Sequence, residues 1–419
     1  MKNKDVAGAG PVILVWRFFF VPMKRLSSFL IACAGLLLAA NSARAVYAPI
    51  PEVEQGRLLT AYLSAGYYYD TNIFGSAKGE IESIVFQAQP TIVANISASQ
   101  QTFLSASYQL SMDYLENRPD DKFLASHSLS ARVAHAFTPR LEGELSDSFQ
   151  IVKNPESLLP GIGGEVANPD QSYKYNQLDG KLVYNMSKRV GLKGKARTMH
   201  MTYDNDYLSE DLDRAEYLVG VEAVRLSREN LQFSAEYRYK AIRYDEHGAL
   251  KNKDSHFLFA GVDYALTKRT AYTARLGIEA LFRRNGGDSA LPYVELGVKH
   301  DYSDLSFISA GYTFSAQESS NVILYTDMYT HHFFVNVQHA LNRQFIVSCM
   351  TDWQPSQLNG RSNIPDIDES NLKIGGALTY TFKEKWSASL TCDYDYVHSD
   401  DSGRNLERVR FGLRARWVF

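Results

Sequence analysis

Apolar and polar side chains alternate strictly through residues 406–419. Every second position from Val409 to Phe419 is apolar. The positions between them include four arginines: Arg408, Arg410, Arg414 and Arg416. Successive side chains of a strand point to opposite faces, so the pattern predicts a β-strand with one apolar and one cationic face. The apolar face ends in Trp417 and Phe419, which is typical of the membrane–water boundary of a transmembrane β-barrel.

The same alternation recurs from Arg57 onwards in segments of roughly a dozen residues, enough for the ~9–11 residues that a tilted membrane strand requires. The predicted lipid-facing stripes are apolar, with aromatic side chains gathered at their ends. They comprise Leu59, Ala61, Leu63, Ala65, Tyr67 and Tyr69; Leu104, Ala106, Tyr108, Leu110, Met112 and Tyr114; Leu231, Phe233, Ala235, Tyr237 and Tyr239; Tyr272, Ala274, Leu276, Ile278, Ala280 and Phe282; and Trp386, Ala388, Leu390, Cys392, Tyr394 and Tyr396.

Connections between these segments alternate in length. Eight short turns separate nine longer, more acidic and Gly/Asn-rich loops. Seventeen connections predict one all-β, antiparallel up-and-down barrel of about 18 strands, or 16 if two boundaries are wrong. An even strand number places both termini on the periplasmic side, with short periplasmic turns and long extracellular loops. An array of soluble β-sandwiches is the alternative fold.

Two residues fit this pattern poorly. Pro90 lies inside the second predicted strand, where it favours a bulge or a break. Asp147 lies on the predicted lipid face of the fifth strand, which suggests that a bulge shifts the register there.

The N-terminal residues predict a signal peptide at 1–45. Lys24 and Arg25 precede an apolar segment that ends at the small residues 43–45, and Met23 is the preferred start. A lipoprotein box at residues 30–33 would instead place a lipid on Cys33, but the apolar segment continues past it. Residues 46–56 are expected to form a short periplasmic tether, and residues 57–419 the barrel.

Composition restricts the function. After the N-terminus no apolar run of roughly 18 residues predicts a transmembrane helix. Removing residues 1–45 takes away six basic residues and one acidic residue, so the formal charge moves from −3 to −8. That balance argues against nucleic acid as a partner. Cys349 and Cys392 are well separated and predict neither a disulfide nor a metal site.

Residues 66–74, GYYYDTNIF, resemble the opening signature of the β-barrel porin-2 family of bacterial outer-membrane proteins. The matching positions are Tyr69, Asp70, Asn72, Ile73 and Phe74. The turns at residues 137–141 and 266–269 are also similar to that family. The resemblance implies an outer-membrane barrel, often linked to exopolysaccharide export, with no catalytic residues or cofactors. Asp70 and Asn72 could equally serve only as turn residues.

Charged residues opposite the apolar stripes are the candidate pore-lining positions. They are Lys193, Lys195, Arg197, Arg238, Lys240, Arg275, Asp393, Asp395, Arg408, Arg410, Arg414 and Arg416. Acids that face the same way are Glu142, Glu144, Glu222 and Glu279. A barrel of this size leaves an aqueous interior, in which clustered bases would favour anions. The charges could instead pair across the wall and stabilise the barrel. The loop at 154–172 could fold into the lumen or lie exposed.

Enzyme motifs are missing from the sequence. There is no Gly-x-Ser-x-Gly, His-Glu-x-x-His or phosphate-loop pattern. His127 and Ser128 are the nearest candidates for a hydrolase, but neighbours on a strand point to opposite faces. His331, His332 and His339 are more typical of interfacial or pore-wall positions than of metal ligands. Residues 204–206 fail the calcium-loop pattern.

The sequence therefore predicts a porin-like channel in the cell outer membrane of a Gram-negative bacterium, for passive diffusion or export of polar solutes. A non-conducting adhesion or structural barrel that binds polysaccharide is the first alternative, and an outer-membrane enzyme is the second. The expected partners are outer-membrane lipids, lipopolysaccharide and the barrel assembly machinery, which would recognise Trp417 and Phe419. Polysaccharide or its export apparatus is a further expected partner, and no cofactor is expected.

Overall fold

The structure is a computed structural model that describes residues 58–119, 121–153, 172–319, 324–383 and 385–419. The predicted signal peptide and tether lie outside the described residues, and so does loop 154–172 apart from Ser172.

Eighteen antiparallel strands form one closed sheet, as the alternating pattern predicts. The strands are β1 (Leu59–Asp70), β2 (Ser83–Ser99), β3 (Thr102–Leu115), β4 (Phe123–Thr138), β5 (Leu141–Val152), β6 (Tyr173–Asn185), β7 (Val190–Tyr203), β8 (Arg214–Arg228), β9 (Leu231–Tyr244), β10 (Lys253–Ala265), β11 (Thr270–Arg283), β12 (Ser289–Ser303), β13 (Ser306–Gln317), β14 (Tyr325–Ala340), β15 (Phe345–Gly360), β16 (Ile367–Lys383), β17 (Trp386–Ser399) and β18 (Leu406–Val418).

Each strand pairs with the next along the chain, and β18 pairs with β1 to close the barrel. At the closure Leu63 lies opposite Trp417, and Asp70 lies opposite Arg410. A closed sheet has no free edge, so the backbone groups of every strand find partners on both sides. That is the condition that a lipid environment imposes on β structure.

The two rims of the barrel differ in their connections. One rim, here called the short-turn rim, carries eight turns of two to four residues, together with the start of β1 and the end of β18. The opposite, long-loop rim carries nine connections of five to twenty residues. Helices α1 (Asp206–Leu212) and α2 (Gly248–Lys251) and a 3₁₀ turn (Ser402–Arg404) also lie at the long-loop rim. No helix within the described ranges is long and apolar enough to cross a membrane.

The outward face of the barrel is an apolar belt. Leu258, Ile278 and Val219 expose 66%, 58% and 57% of their surfaces, and no residue that the structure describes covers them. At the short-turn rim the belt ends in stacked aromatics, with the Trp386 and Trp417 rings 5.2 Å apart. Such a belt would be very unfavourable in water, whereas a bilayer matches it. The barrel is therefore of the transmembrane kind.

Pro90 and Asp147 cause no bulge, contrary to the sequence-based expectation. β2 runs unbroken through Pro90, and its register with β3 is the same on both sides. The β4–β5 register shifts only near Thr138, far from Asp147. Asp147 therefore shares the outward face with the exposed Leu145, and its Oδ1 accepts a hydrogen bond of 3.0 Å from Asn176 Nδ2.

Candidate functional site in the barrel lumen

The lumen wall consists of the side chains that alternate with the apolar belt. All twelve charged residues selected from the sequence lie on this inward face, because each has the opposite strand parity to its exposed apolar neighbours. How much each residue contributes to the electric field in the lumen depends on whether its charge is paired with an opposite charge on the wall.

A continuous ion-pair network covers the wall from β7 to β9. Lys193 and Lys195 bind the two oxygens of Glu222, with Nζ–O distances of 3.2 and 2.7 Å. Lys195 also reaches Glu236 at 2.8 Å, two strands away. Arg238 binds the other oxygen of Glu236 at 2.9 Å. Both glutamates are only 2% exposed, so their charges are balanced by the bases on the wall.

The other bases of this sector are paired as well. Arg197 binds Asp179 at 2.6 Å, Lys240 binds Glu216 at 2.8 Å, and Arg275 binds Asp263 at 2.9 Å. Asp179, Glu216 and Asp263 were not selected from the sequence as partners. Their alternation with apolar residues on β6, β8 and β10 is the sequence signal that could have identified them as inward-facing.

An aromatic cluster lies beside this network. Phe257, Phe259 and Tyr293 pack on the inward faces of β10 and β12, and the Arg238 guanidinium lies 5.1 Å from the centre of the Phe259 ring. Sequence reasoning missed these residues, because an apolar residue on the inward face interrupts the expected polar pattern.

The four arginines of β18 divide into two pairs. Arg408 and Arg410 are buried at the long-loop half. Arg408 Nε donates to Asp70 Oδ1 at 2.9 Å, and Arg410 binds Asp395 at 3.1 Å. Lys373 lies 3.7 Å from the same Asp395, while Asp393 lies opposite Arg410 in the β17–β18 register. The charges of Arg408 and Arg410 are therefore balanced by carboxylates within the barrel wall.

Arg414 and Arg416 form the second pair, at the short-turn half, and both are exposed. Arg414 donates to the neutral amide oxygen of Gln87 at 2.7 Å, and the Arg416 guanidinium lies 4.0 Å from the centre of the Tyr62 ring. Neither contacts a carboxylate within the described ranges of the chain. Their charges are therefore available to an anion in the lumen.

The family-motif residues form the base of the first long loop, which folds inward. Asp70 and Asn72 are fully buried, and Asp70 Oδ1 accepts a hydrogen bond of 3.0 Å from the Asn72 N–H. The Asn72 side chain then bridges to the backbone of Ser76. Asp70 and Asn72 thus lie in a turn that their side chains stabilise, and Asp70 is in addition the ion-pair partner of Arg408.

Ile73 and Phe74 extend from this turn onto the wall. Ile73 packs against Val85, Leu115 and Leu124, the inward-facing residues at the long-loop ends of β2, β3 and β4. Phe74 contacts the same cluster. Tyr69 points outward and binds Glu82. The first loop therefore occupies part of the lumen at its long-loop half.

Helix α1 covers a second part of the wall in the same half. Leu212 and Leu208 pack against Met199, Met201 and Tyr203. Asp213, directly after the helix, accepts hydrogen bonds from the Tyr203 N–H and the Ser209 hydroxyl at 2.7 Å each. Burial raises the pKa of Asp213. Beside the helix, hydrogen bonds from Lys153 and Lys174 lower the pKa of Asp204.

The histidines considered for catalysis have other partners. His127 points outward and contacts the Tyr108 hydroxyl at 2.8 Å, whereas Ser128 points inward. His331 and His339 contact the Tyr312 and Tyr302 hydroxyls on the outward face, and His332 pairs with Asp352 on the inward face. The described residues contain no group of His, Cys, Asp and Glu that could hold a metal ion.

The predicted assembly signal lies at the closure of the barrel. Trp417 and Phe419 share the outward face, and their rings are 4.0 Å apart. The Phe419 N–H donates to the Ala61 carbonyl oxygen at 2.9 Å. Recognition of these residues by an assembly partner stays a prediction.

These features define a class, a membrane-spanning antiparallel β-barrel with a charged lumen. No protein-family model and no curated protein matches the chain, so membership of the porin-2 family stays a prediction. Among solved structures, it is similar to Pseudomonas aeruginosa OpdK with vanillate (9% identity, 86% of this chain and 99% of that chain covered, TM-score 0.46). It is also similar to Acinetobacter baumannii OccAB4 (8%, 87% and 100%, 0.45) and the P. aeruginosa siderophore receptor PirA (8%, 87% and 80%, 0.43). Similarity at this level carries no argument about this chain, whose own strand pairing establishes the barrel.

Proposed function

We propose that this protein is an outer-membrane channel for the passive diffusion of polar solutes, with a preference for anions. Single-chain barrels with an even number of strands and an apolar belt are a feature of bacterial outer membranes, where their short turns face the periplasm. By that rule the short-turn rim of this barrel, with both ends of the strand array, is periplasmic. Barrels of 16–18 strands leave an aqueous channel.

The observation that carries the proposal is the exposed pair Arg414 and Arg416. Most other bases selected on the wall have a carboxylate within ion-pair distance, so their fields largely cancel. Two exposed guanidinium groups without such a partner, on a low-dielectric wall, attract anions entering from the short-turn side. The preference is therefore attributed to two of the twelve selected residues.

Single-channel recording in a planar bilayer tests the proposal. The refolded mature protein is expected to give discrete, salt-dependent steps, with a reversal potential in a KCl gradient that indicates anion preference. Arg414→Gln with Arg416→Gln should shift that potential towards cations. The matched pair Lys193→Gln with Glu222→Gln removes one base and its partner acid, and should shift it less. Equal shifts from the two pairs would exclude the arginines from selectivity.

A non-conducting adhesion or structural barrel is the second candidate. It is favoured by the long-loop half of the lumen, where Ile73, Phe74 and helix α1 cover the wall. Folded wild-type protein that conducts no current in the bilayer would support it. Polysaccharide, or its export apparatus, stays a prediction from the family resemblance alone.

A further inference from the structure

An apolar groove of about 550 Å³ crosses the outward face of β4 to β8. Outward-facing Gly143, Gly180 and Gly194 form its floor, and Leu145, Leu182 and Val219 form its sides. A methyl group added at Gly180 or Gly194 would approach no atom closer than 3.9 Å, so the space above these glycines is open. Four strand spacings of ~4.8 Å give a length of about 19 Å.

The groove reaches the short-turn rim where basic residues gather. Its lower wall includes Phe137 and Gly143, on either side of the turn at residues 139–140. Arg140 lies in that turn, and Lys188 and Arg189 lie in the adjacent β6–β7 turn. Arg225 points outward on β8, opposite Val190. All four side chains are exposed, and among the described residues none has a carboxylate partner.

We propose that this groove and the basic residues beside it form a binding site for one anionic phospholipid. One of its two acyl chains lies along Gly180 and Gly194, and the phosphate is bound by Lys188, Arg189 and Arg140 at the rim. The site rests on the membrane-spanning fold and not on the channel function, so either can fail without the other.

The charges favour a phospholipid over a second copy of the chain. A second barrel would bring its own short-turn rim to the same height in the membrane, with the basic turns of 186–189 and 266–269. Like charges would then meet. A phosphate group at the rim is instead complementary to Lys188, Arg189 and Arg140, and a single apolar chain fits a groove whose sides are Leu and Val.

The groove is tested first, by native mass spectrometry of the refolded mature protein in detergent with added palmitoyl-oleoyl phosphatidylglycerol. Wild-type barrel is expected to retain one lipid. Gly180→Leu fills the open space above this glycine without a steric clash at Cβ and should remove most of the bound lipid. Gly376→Leu is the matched control, since Gly376 is also outward-facing with open space above it, but lies on β16. It should retain the lipid as the wild type does. Heat-modifiable migration verifies that each barrel is folded.

The phosphate part is tested by a second matched pair. The turns Met186-Ser187-Lys188-Arg189 and Leu266-Thr267-Lys268-Arg269 have the same pattern, and Ser187 and Thr267 accept the same backbone hydrogen bond. Lys188→Gln with Arg189→Gln should weaken phosphatidylglycerol binding by about fivefold for each base, the effect of one base near an anionic surface. Lys268→Gln with Arg269→Gln should leave binding unchanged.

Three results of the lipid-binding measurements would overturn the site. They are undiminished lipid in folded Gly180→Leu, equal losses from the two turn variants, and equal retention of phosphatidylcholine and phosphatidylglycerol. Competition by glycerol phosphate at millimolar concentration would also exclude the groove, because it would show that a free phosphate suffices.

Discussion

Arg408 carries its charge at a position where only 3% of its surface is exposed, and Asp70 beside it is fully buried. Taking both charges out of water is unfavourable, and their attraction offsets this only while both partners are present. Asp70 also accepts the Asn72 N–H, so one carboxylate connects β18 to the first loop. At this point β1 and β18 meet, and the loss of either group would remove a buried ion-pair partner from the other.

Asp70→Ala is therefore expected to lower the free energy of unfolding by about 3–5 kcal/mol, the usual effect of breaking a buried ion pair. Denaturant-induced unfolding in lipid vesicles, followed by Trp fluorescence, measures the change. Arg414→Gln, at an exposed position on the same strand, should change it by no more than about 0.5 kcal/mol. Similar effects from the two substitutions would show that burial of the Asp70–Arg408 pair contributes nothing special.

Asp147 is the seventh of the twelve residues of β5, with Leu145 and Phe149 on either side along the outward face. A carboxylate in the middle of an apolar stripe is unfavourable in a bilayer. Among the residues that the structure describes, Asn176 on β6 is the only hydrogen-bond partner of the Asp147 side chain. One amide compensates only part of the lost hydration.

Asp147→Leu with Asn176→Leu should consequently raise the free energy of unfolding, by about 1 kcal/mol, since acidic side chains on the lipid face are less unfavourable than Arg or Lys. The same unfolding measurement in vesicles tests it. Leu145→Asp, at the next outward position, should have the opposite sign. A destabilised double variant would indicate that Asp147 and Asn176 serve a partner rather than merely tolerate the lipid.

At the scale of the strand, the fold was predictable because two independent patterns agree. Alternation with a period of two assigns each side chain to a face, and the alternation of short and long connections counts the strands. The expected break at Pro90 was wrong because that residue lies on the outward face where β2 keeps its register with both neighbours. The alternation of apolar and polar residues along one strand does not determine whether that strand keeps its register with its neighbours.

The pairing of charges could not be predicted in the same way. Asp70 and Arg408 are 338 residues apart and meet only because the sheet closes. Lys195 reaches Glu236 across an intervening strand, which requires the curvature of the barrel. The even division of the β18 arginines into buried and exposed pairs follows from loops that fold inward, and strand alternation does not determine loop conformation.

The last strand provides a prediction about assembly. Phe419 is 53% exposed on the outward face and contributes a backbone hydrogen bond to β1, so its side chain adds little to the folded barrel. Phe419→Ala should refold in detergent to wild-type yield, because the backbone bond is kept. In cells, if the assembly machinery recognises this residue, the variant should give much less heat-modifiable folded protein in the outer membrane than the wild type. Phe411→Ala, at an equally exposed position of the same strand, is the control. Equal losses of folded protein from the two variants would contradict a specific role of Phe419 in assembly.

At the scale of the whole molecule, the lumen has two different halves. The long-loop half contains buried ion pairs, the first loop and helix α1, whereas Arg414 and Arg416 are exposed at the short-turn half. A solute entering from the short-turn side would therefore meet accessible positive charge before it reaches the half that the first loop and helix α1 cover. If the proposed channel function holds, we expect the charges to set which ion enters and the inward loops to set how fast it passes.

Shortening the first loop separates these two effects. Replacing residues 72–81 by a short Gly/Asn turn removes Ile73 and Phe74 from the lumen, while Asp70 and Arg408 keep their ion pair. The shortened barrel should conduct more current per channel than the wild type, with the same sign of ion preference, because Arg414 and Arg416 are untouched. Lys78→Gln with Glu80→Gln, at exposed positions of the same loop, should leave the conductance unchanged. If the folded, shortened barrel conducts no better than the wild type, the narrowest part of the lumen lies elsewhere, and the first loop serves the stability of the barrel closure alone.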